Sequence, residues 1–212
     1  MTAQLLHRKH HTPAPGLPFL GQLSLTRARV HELCGDARRT LALFIAQAVG
    51  EGPVFWIVPR WQRDRLYGPG LARFIDPARL FTVEAQKRED ILWSMEEILR
   101  AGHVPLVVAE LESPPALTPV RRLHLAAEEG AQGRRNSAAV GLLLCPGDGG
   151  AQGVESRWHI SARDSAHCGS GNAGGNDGAA RWRLARTRAR NAPPAQWDMR
   201  EPTPGQPALI PA

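Results

Sequence analysis

The feature that most constrains the fold is an alternation of short apolar runs with longer helical patterns, which begins near residue 28. The apolar runs are rich in β-branched and aromatic residues, which predicts buried strands. They lie at 30–34, 54–58, 80–83, 104–110 and 140–145. Strands separated by helices require βαβ crossovers, so the sequence predicts an α/β fold with a mostly parallel sheet flanked by helices.

Three intervening segments have helical patterns. Residues 40–49 are mostly apolar, and residues 88–101 carry apolar side chains at i, i+4 and i+7 behind an acidic start. Thr118 is placed as the N-cap of a third helix, with Pro119 as its first residue and its end before Gly130.

The pattern changes after a glycine-rich loop at 146–153. Residues 155–163 and 181–190 alternate along their lengths, which predicts an antiparallel hairpin at the edge of the sheet. The insert between them, at 164–180, is rich in glycine and has too few apolar residues to form a core.

The two ends of the chain differ in composition from its middle. Residues 1–27 contain the run HRKHH and several prolines, which predicts a flexible N-terminal tail. The proline-rich residues 201–212 are interpreted as a C-terminal tail. A single domain is therefore expected over 28–200, a length that can bury a sizeable core.

Composition narrows the class of protein. Of the 212 residues 42% are apolar, yet no stretch approaches the ~20 apolar residues of a membrane span. The N-terminus lacks the apolar core of a secretory signal, and three cysteines make no disulfide framework. We expect a cytoplasmic protein without a membrane partner. Cys34, Cys145, His31 and His124 are expected in the core, and their spacing predicts no metal site.

The segment 28–47 is the first candidate site, because it predicts a buried strand, a glycine turn and an apolar helix. Phosphate-binding loops of this shape carry G-x-x-x-x-G-K-[ST], whose backbone N–H groups and lysine hold phosphate while the hydroxyl binds Mg²⁺. Here Gly35 is followed by Asp36-Ala37-Arg38-Arg39-Thr40. The second glycine and the lysine are absent, and the Asp36 carboxylate would repel phosphate. No cofactor is expected, and ATP binding is doubtful.

Other functions remain open for the residues of this turn. Arg38 and Arg39, near a helix start, can bind a phosphate, a nucleic-acid backbone or an acidic partner, or form a solvated basic turn. Thr40 is either a vestigial Mg²⁺ ligand or the helix N-cap.

Four stretches together resemble the ImuA family, RecA-like accessory proteins of bacterial mutagenesis cassettes. They are RVHELCGDARRTLAL (29–43), VPLVVAEL (104–111) with the following ALTPVRRLHLAAE (116–128), LLLCPGDGGAQGVESRW (142–158) and RTRARNAPPAQW (186–197). The resemblance implies a RecA-like domain whose first stretch stands at the phosphate loop and whose second stands at the Walker B strand. It also places 142–158 at a DNA-binding loop.

This sequence departs from the RecA pattern at each catalytic position. RecA proteins carry a water-activating glutamate after the second strand, where this chain has Pro59-Arg60-Trp61. At the Walker B aspartate it has Val107-Val108-Ala109, and Glu110 follows one position late, which in a strand points to the opposite face. Because phosphoryl transfer depends on positioning Mg²⁺ and the phosphates, the joint loss predicts a protein that is not an enzyme.

The resemblance then implies a non-catalytic adaptor of the DNA-damage (SOS) response that supports error-prone translesion synthesis. Its partners would be a Y-family-like polymerase subunit, RecA or DNA, and self-association is compatible with a RecA-like fold. A related alternative is an SOS-linked cell-division inhibitor. A rival of another class is a degenerate P-loop ATPase in which Arg39 replaces the lysine and Glu110 the metal ligand.

Candidate contact surfaces lie outside the turn. Arg186, Arg188 and Arg190 share a face at period two, which can follow a phosphate backbone or protect an edge strand from aggregation. Nearly all of the 26 basic residues are arginine, which suits phosphate but also fits a GC-rich genome. Trp61, flanked by arginines, is an interface anchor or a cap of the core. Gly149 and Gly150 can let a partner's backbone approach closely.

Overall fold

The computed structural model describes residues 16–133, 138–163, 180–203 and 205–210. Eleven strands, four α-helices and one short 3₁₀ helix (Pro77–Arg79) are assigned in this part of the chain. The strands are β1 (Gly16–Phe19), β2 (Leu23–Thr26), β3 (Arg29–Cys34), β4 (Val54–Pro59), β5 (Leu80–Ala85), β6 (Leu106–Glu110), β7 (Val140–Leu144), β8 (Ser156–Arg163), β9 (Ala180–Ala189), β10 (Ala195–Thr203) and β11 (Gln206–Ile210). The helices are α1 (Arg38–Val49), α2 (Gly68–Leu71), α3 (Arg88–Ala101) and α4 (Leu117–Gly130).

Nine strands form one sheet in the order β11-β10-β9-β8-β3-β7-β6-β4-β5. The six strands from β8 to β5 run parallel, and β9, β10 and β11 each run antiparallel to the strand before them. The fold is therefore α/β with a mostly parallel sheet, as the alternating sequence pattern predicted. The strand β3, which leads into the candidate turn, lies in the middle of the sheet between β7 and β8.

Apolar side chains cover the two faces of this sheet in separate clusters. On one face α1 and the β1-β2 hairpin pack over Leu33, Trp56 and Trp158. On the other, α3 and α4 pack over Val30 and Val107. The alternation of a parallel strand sends successive side chains to opposite faces, so each central strand serves both clusters.

The N-terminal tail predicted through residue 27 is partly an ordered hairpin. Strands β1 and β2 pair antiparallel, and Leu17, Phe19, Leu23 and Leu25 are buried at their alternate positions. Phe19 packs edge-on against Trp158 with ring centroids 5.3 Å apart. Period-two burial over two short strands therefore replaces the expected tail from residue 16 onward, and residues 1–15 lie outside the described part.

The C-terminus also differs from the prediction. Residues expected as a tail from 201 belong to β10 and β11, which extend the sheet beyond β9. Glu201 anchors this end, because its buried carboxylate accepts hydrogen bonds from Arg73 and from the Gly205 backbone. The antiparallel pairing of β8 with β9 is confirmed, but its position at the edge was wrong. The 164–180 insert lies outside the described residues except for Ala180.

Two helix starts were predicted late. Helix α4 begins at Leu117 after Ala116, and helix α1 begins at Arg38 after Ala37, with no side-chain cap at either. Thr118 and Thr40 are thus residues of the first turn and not N-caps. Pro119 is tolerated at the third position because a first-turn N–H has no partner within its own helix.

Within the described residues, none of the helices combines the length and apolar character needed to cross a membrane.

Candidate functional site

The turn between β3 and α1 is closed by the chain's own backbone. The Gly35 N–H donates to the Gly147 carbonyl at 2.8 Å, and the Ala37 N–H to the Ile160 carbonyl at 3.4 Å. Gly35 has a φ of +91°, and a Cβ at this position would stand 2.1 Å from the Ile160 oxygen. The glycine-rich loop and strand β8 therefore approach the turn so closely that each accepts one N–H that could otherwise meet a phosphate.

The two arginines of the turn also have partners inside the protein. Arg38 donates from Nη1 to the Gly35 carbonyl at 3.0 Å. Arg39 donates from Nε and Nη2 to the two carboxylate oxygens of Glu110, at 3.0 Å and 2.7 Å. Both are half-buried rather than exposed, as is Thr40. The geometry places Arg39 as an internal ion-pair partner, where the sequence left anion binding open.

Glu110 is the centre of a buried polar network. Its side chain is only 6% exposed and also accepts hydrogen bonds from Trp56 Nε1 and Gln62 Nε2, each at 2.7 Å. It lies on the α1 side of β6, the side of Leu106 and Val108. The carboxylate thus points towards the turn, and its charge is met by Arg39 and two neutral donors. A ligand bound there would have to displace these contacts.

A second buried carboxylate fixes the glycine-rich loop on the other side of β3. Glu32, fully buried, accepts the N–H groups of Gly150 and Ala151 at 2.8 and 2.9 Å and is hydrogen-bonded to Arg157 Nε. A Cβ at Gly149, where φ is +73°, would stand 2.7 Å from the Glu32 carboxylate. The close approach that these glycines permit is therefore an internal one, and their contact with a partner stays a prediction.

The three arginines predicted to share a face do not share it. Arg186 pairs with Trp158 across the strands, but Arg188 pairs with Arg157, so Thr187 is an extra residue in a β-bulge. Arg186 lies over Trp158 and Trp197 on the core side, 5.6 and 5.4 Å from their ring centroids. Arg188 consequently faces the opposite side of the sheet.

The remaining candidates take separate positions. Arg190 lies beyond the end of β9, and its Nε is 3.5 Å from a Glu155 carboxylate oxygen. Trp61 is 44% exposed in the loop after β4 and donates through Nε1 to Glu112. The structure does not bring Trp61 together with β9. Trp182 of β9 packs in the core and is 8% exposed.

Of the four residues expected in the core, His31, Cys34 and Cys145 are buried, whereas His124 on α4 is only half-buried. The Nδ1 of His31 is hydrogen-bonded to the Ser156 hydroxyl at 2.6 Å, and its Nε2 is hydrogen-bonded to the Thr26 carbonyl at 2.9 Å. Burial disfavours the charged form of both groups. It therefore lowers the pKa of His31 from 6.5 to about 4 and raises the pKa of the Cys34 thiol to about 12. No cluster of metal-ligating side chains occurs among the residues described.

Sequence reasoning missed Glu32, Arg157, Trp56 and Gln62 as parts of these networks. One signal was available: a glutamate inside an apolar strand is buried, so its charge needs a partner or hydrogen-bond donors nearby. The partners themselves are separated by 48 to 125 positions from the carboxylates they contact, so no local pattern could have named them.

Comparisons with known proteins leave the family open. No family model matches the sequence, and no curated protein matches it. Among solved structures, SulA from Pseudomonas aeruginosa is similar, with 22% identity over 56% of this chain and 98% of that chain and a TM-score of 0.43.

Proposed function

We propose that this chain is a non-catalytic, RecA-like adaptor of the bacterial DNA-damage response that supports error-prone translesion synthesis by binding a polymerase-like subunit or RecA in the cytoplasm. It uses no nucleotide cofactor. It works by presenting a fixed surface rather than by turnover.

The observation that carries the non-catalytic part is the occupation of the phosphate position by the protein itself. The N–H groups of Gly35 and Ala37 bond to backbone carbonyls, and Arg39 is bound to Glu110. Binding a nucleoside triphosphate would require breaking a half-buried ion pair and uncovering a buried carboxylate. The degenerate ATPase is therefore the less favoured alternative.

The adaptor part is supported by the four stretches that resemble ImuA proteins. The first forms β3, the turn and α1, and the second forms β6 and α4. The third runs from β7 through the Glu32-bound loop into β8, and the fourth spans the turn between β9 and β10. The first three stretches thus meet at the carboxyl edge of the parallel sheet, where α/β proteins place their sites. The turn between β9 and β10 lies at the opposite edge, where Arg190 contacts Glu155.

The deciding experiment is calorimetric titration of the purified chain with ATP, with and without Mg²⁺. We expect no binding at micromolar nucleotide, and none is gained in the variant Glu110→Gln. Micromolar affinity that disappears in Arg39→Ala but persists in the exposed control Arg63→Ala would overturn the proposal in favour of the ATPase.

A second experiment tests the adaptor role in cells that carry the gene. Deletion should lower damage-induced mutation frequency while leaving growth without damage unchanged, and the Glu110→Gln allele should restore the frequency. Unchanged mutation frequency together with filamentation on expression would instead identify a cell-division inhibitor.

A further inference from the structure

Strands β8, β9 and β10 carry a row of arginines on the side of the sheet opposite α1. Pairing between these strands places alternate residues of all three on one surface. Its basic members are Arg157 and Arg163 from β8, Arg181, Arg183 and Arg188 from β9, and Arg200 from β10. We call these six residues the arginine face.

The bulge at Thr187 assembles this face. In an unbroken strand Arg188 would point to the same side as Arg186, towards the core. The extra residue reverses that parity, so Arg188 lies opposite Arg157 and joins Arg181 and Arg183. One inserted residue therefore adds Arg188 to the side of the sheet that carries Arg157, Arg181 and Arg183.

In the described part of the chain most of this face is not packed under a helix, and its backbone is held from behind. Helices α3 and α4, which lie on this side of the sheet, pack against β3 to β7. On the reverse side Trp158, Ile160, Trp182, Leu184 and Met199 are buried in the core. The backbone that carries the arginines is thereby fixed, while side chains such as those of Arg163 and Arg183 remain 42% and 46% exposed.

The positive charge is only partly neutralised. Asp198, the acidic residue that the strand pairing places on this face, bridges Arg163 and Arg183 at 3.3 Å each, and Arg157 is held by Glu32. Within the described residues Arg188 and Arg200 are exposed and have no carboxylate within 4.0 Å. An excess of guanidinium groups thus faces solvent.

We propose that the arginine face binds the phosphodiester backbone of nucleic acid. Guanidinium groups make paired hydrogen bonds to phosphate, and alternate residues of a strand repeat at about 6.7 Å, which suits a linear polyanion. The only aromatic side chain among the described residues of the face is the His159 imidazole, which contacts Asp148, and its apolar members are Ala185, Ala208 and Ile210. It therefore lacks the large apolar anchors of a protein interface and a row of stacking aromatics that would read bases.

This inference rests on the proposed function and deepens it, because it assigns to the adaptor a nucleic-acid surface and a sequence-independent mode of binding. It also replaces the row 186, 188 and 190, since Arg186 lies on the other side. The alternative that these arginines protect a sheet edge is removed, because β10 and β11 lie outside β9.

The test is fluorescence anisotropy of the purified full chain with labelled single-stranded and duplex oligonucleotides of unrelated sequences, between about 50 and 200 mM NaCl. The test variant combines Arg183→Ala, Arg188→Ala and Arg200→Ala. A matched control removes the same charge from exposed residues elsewhere, with Arg63→Ala, Lys87→Ala and Arg121→Ala.

We expect the test variant to lose at least about tenfold in affinity and the salt slope to fall by about 2 to 3, against a much smaller change in the control. Asp198→Asn should bind more tightly than the natural chain. Relative affinity for the two oligonucleotide forms identifies whether one strand or a duplex is preferred.

Equal losses in the test and control variants would overturn the inference, as would salt-independent binding. Binding of the natural chain to polyglutamate but not to either oligonucleotide would assign the face to an acidic protein instead. Absence of nucleic-acid binding would refute this inference and leave the adaptor proposal standing, whereas micromolar ATP binding would refute the adaptor proposal alone.

Discussion

Arg39, in the first turn of α1, holds Glu110 at the end of β6 in a two-pronged ion pair, with Nη2 2.7 Å from one carboxylate oxygen. The pair joins a helix to a strand across 71 residues of sequence. Because the Glu110 side chain is only 6% exposed, its charge depends on this partner.

Arg39→Ala should therefore destabilise the protein by about 2–3 kcal/mol, since it leaves a buried carboxylate with two neutral donors only. Glu110→Gln in the same chain should recover part of that loss, because the charge is removed with its partner. Urea unfolding of the two single variants and the double variant measures the coupling. Additive effects would show that the pair is not a unit.

Two glycines of the 146–153 loop provide a matched comparison. Gly147 and Gly149 have φ values of +58° and +73°, so alanine is strained at both. At Gly147 a Cβ meets nothing within 4 Å, whereas at Gly149 it meets the Glu32 carboxylate at 2.7 Å. We expect Gly147→Ala to cost about 1 kcal/mol and Gly149→Ala clearly more in thermal unfolding. Equal costs would mean that the loop is not held on Glu32.

Arg186 should matter for stability and not for nucleic-acid affinity. Its guanidinium lies over Trp158 and Trp197, a contact worth about 1 kcal/mol. Arg186→Ala should lower the midpoint of chemical unfolding and change tryptophan fluorescence, with Arg188→Ala as the control that leaves both unchanged. If Arg186→Ala and Arg188→Ala lost the same oligonucleotide affinity, this would contradict the finding that the bulge places the two arginines on opposite faces of the sheet.

The buried His31 and the half-buried His124 predict acid sensitivity. The pKa of His31 lies near 4 in the folded state, and that of His124 is also lowered to about 4 by burial. The unfolded chain binds these protons below about pH 6.5, so stability is complete above that pH and falls progressively towards pH 4. His31 alone should account for a loss on the order of 3 kcal/mol. Urea midpoints from pH 7.5 to 4 measure it, and His31→Gln should flatten the profile.

The central sheet could be predicted from the sequence because its strands are continuous apolar runs that need no partner to be recognised. The hairpin at 16–26 escaped because each strand has only four residues and the preceding prolines and histidines dominate the composition. Arginines alternate with other residues throughout RTRAR, which predicts that they share one face. Their actual faces depend on Thr187, which has no partner in the strand pairing. The position of a bulge depends on the pairing with the neighbouring strand, so the sequence of one strand does not reveal it.

The candidate turn could be recognised as lacking phosphate-binding groups from Gly35 to Thr40 alone. The groups that bond to the N–H groups of this turn could not be predicted, because the carbonyls of Gly147 and Ile160 lie more than a hundred residues away in the sequence. For Arg39 the sequence left open a phosphate, a nucleic-acid backbone, an acidic partner or a solvated turn, and in the structure it is paired with Glu110 of the same chain.

The β1-β2 hairpin has a practical consequence for anyone who shortens this protein. A fragment that begins at residue 28 would lose the packing of Phe19 on Trp158 and the hydrogen bond between His31 Nε2 and the Thr26 carbonyl. Such a fragment should expose apolar surface and bind dyes whose fluorescence reports it. The smallest unit able to fold alone therefore starts upstream of the first strand of the large sheet.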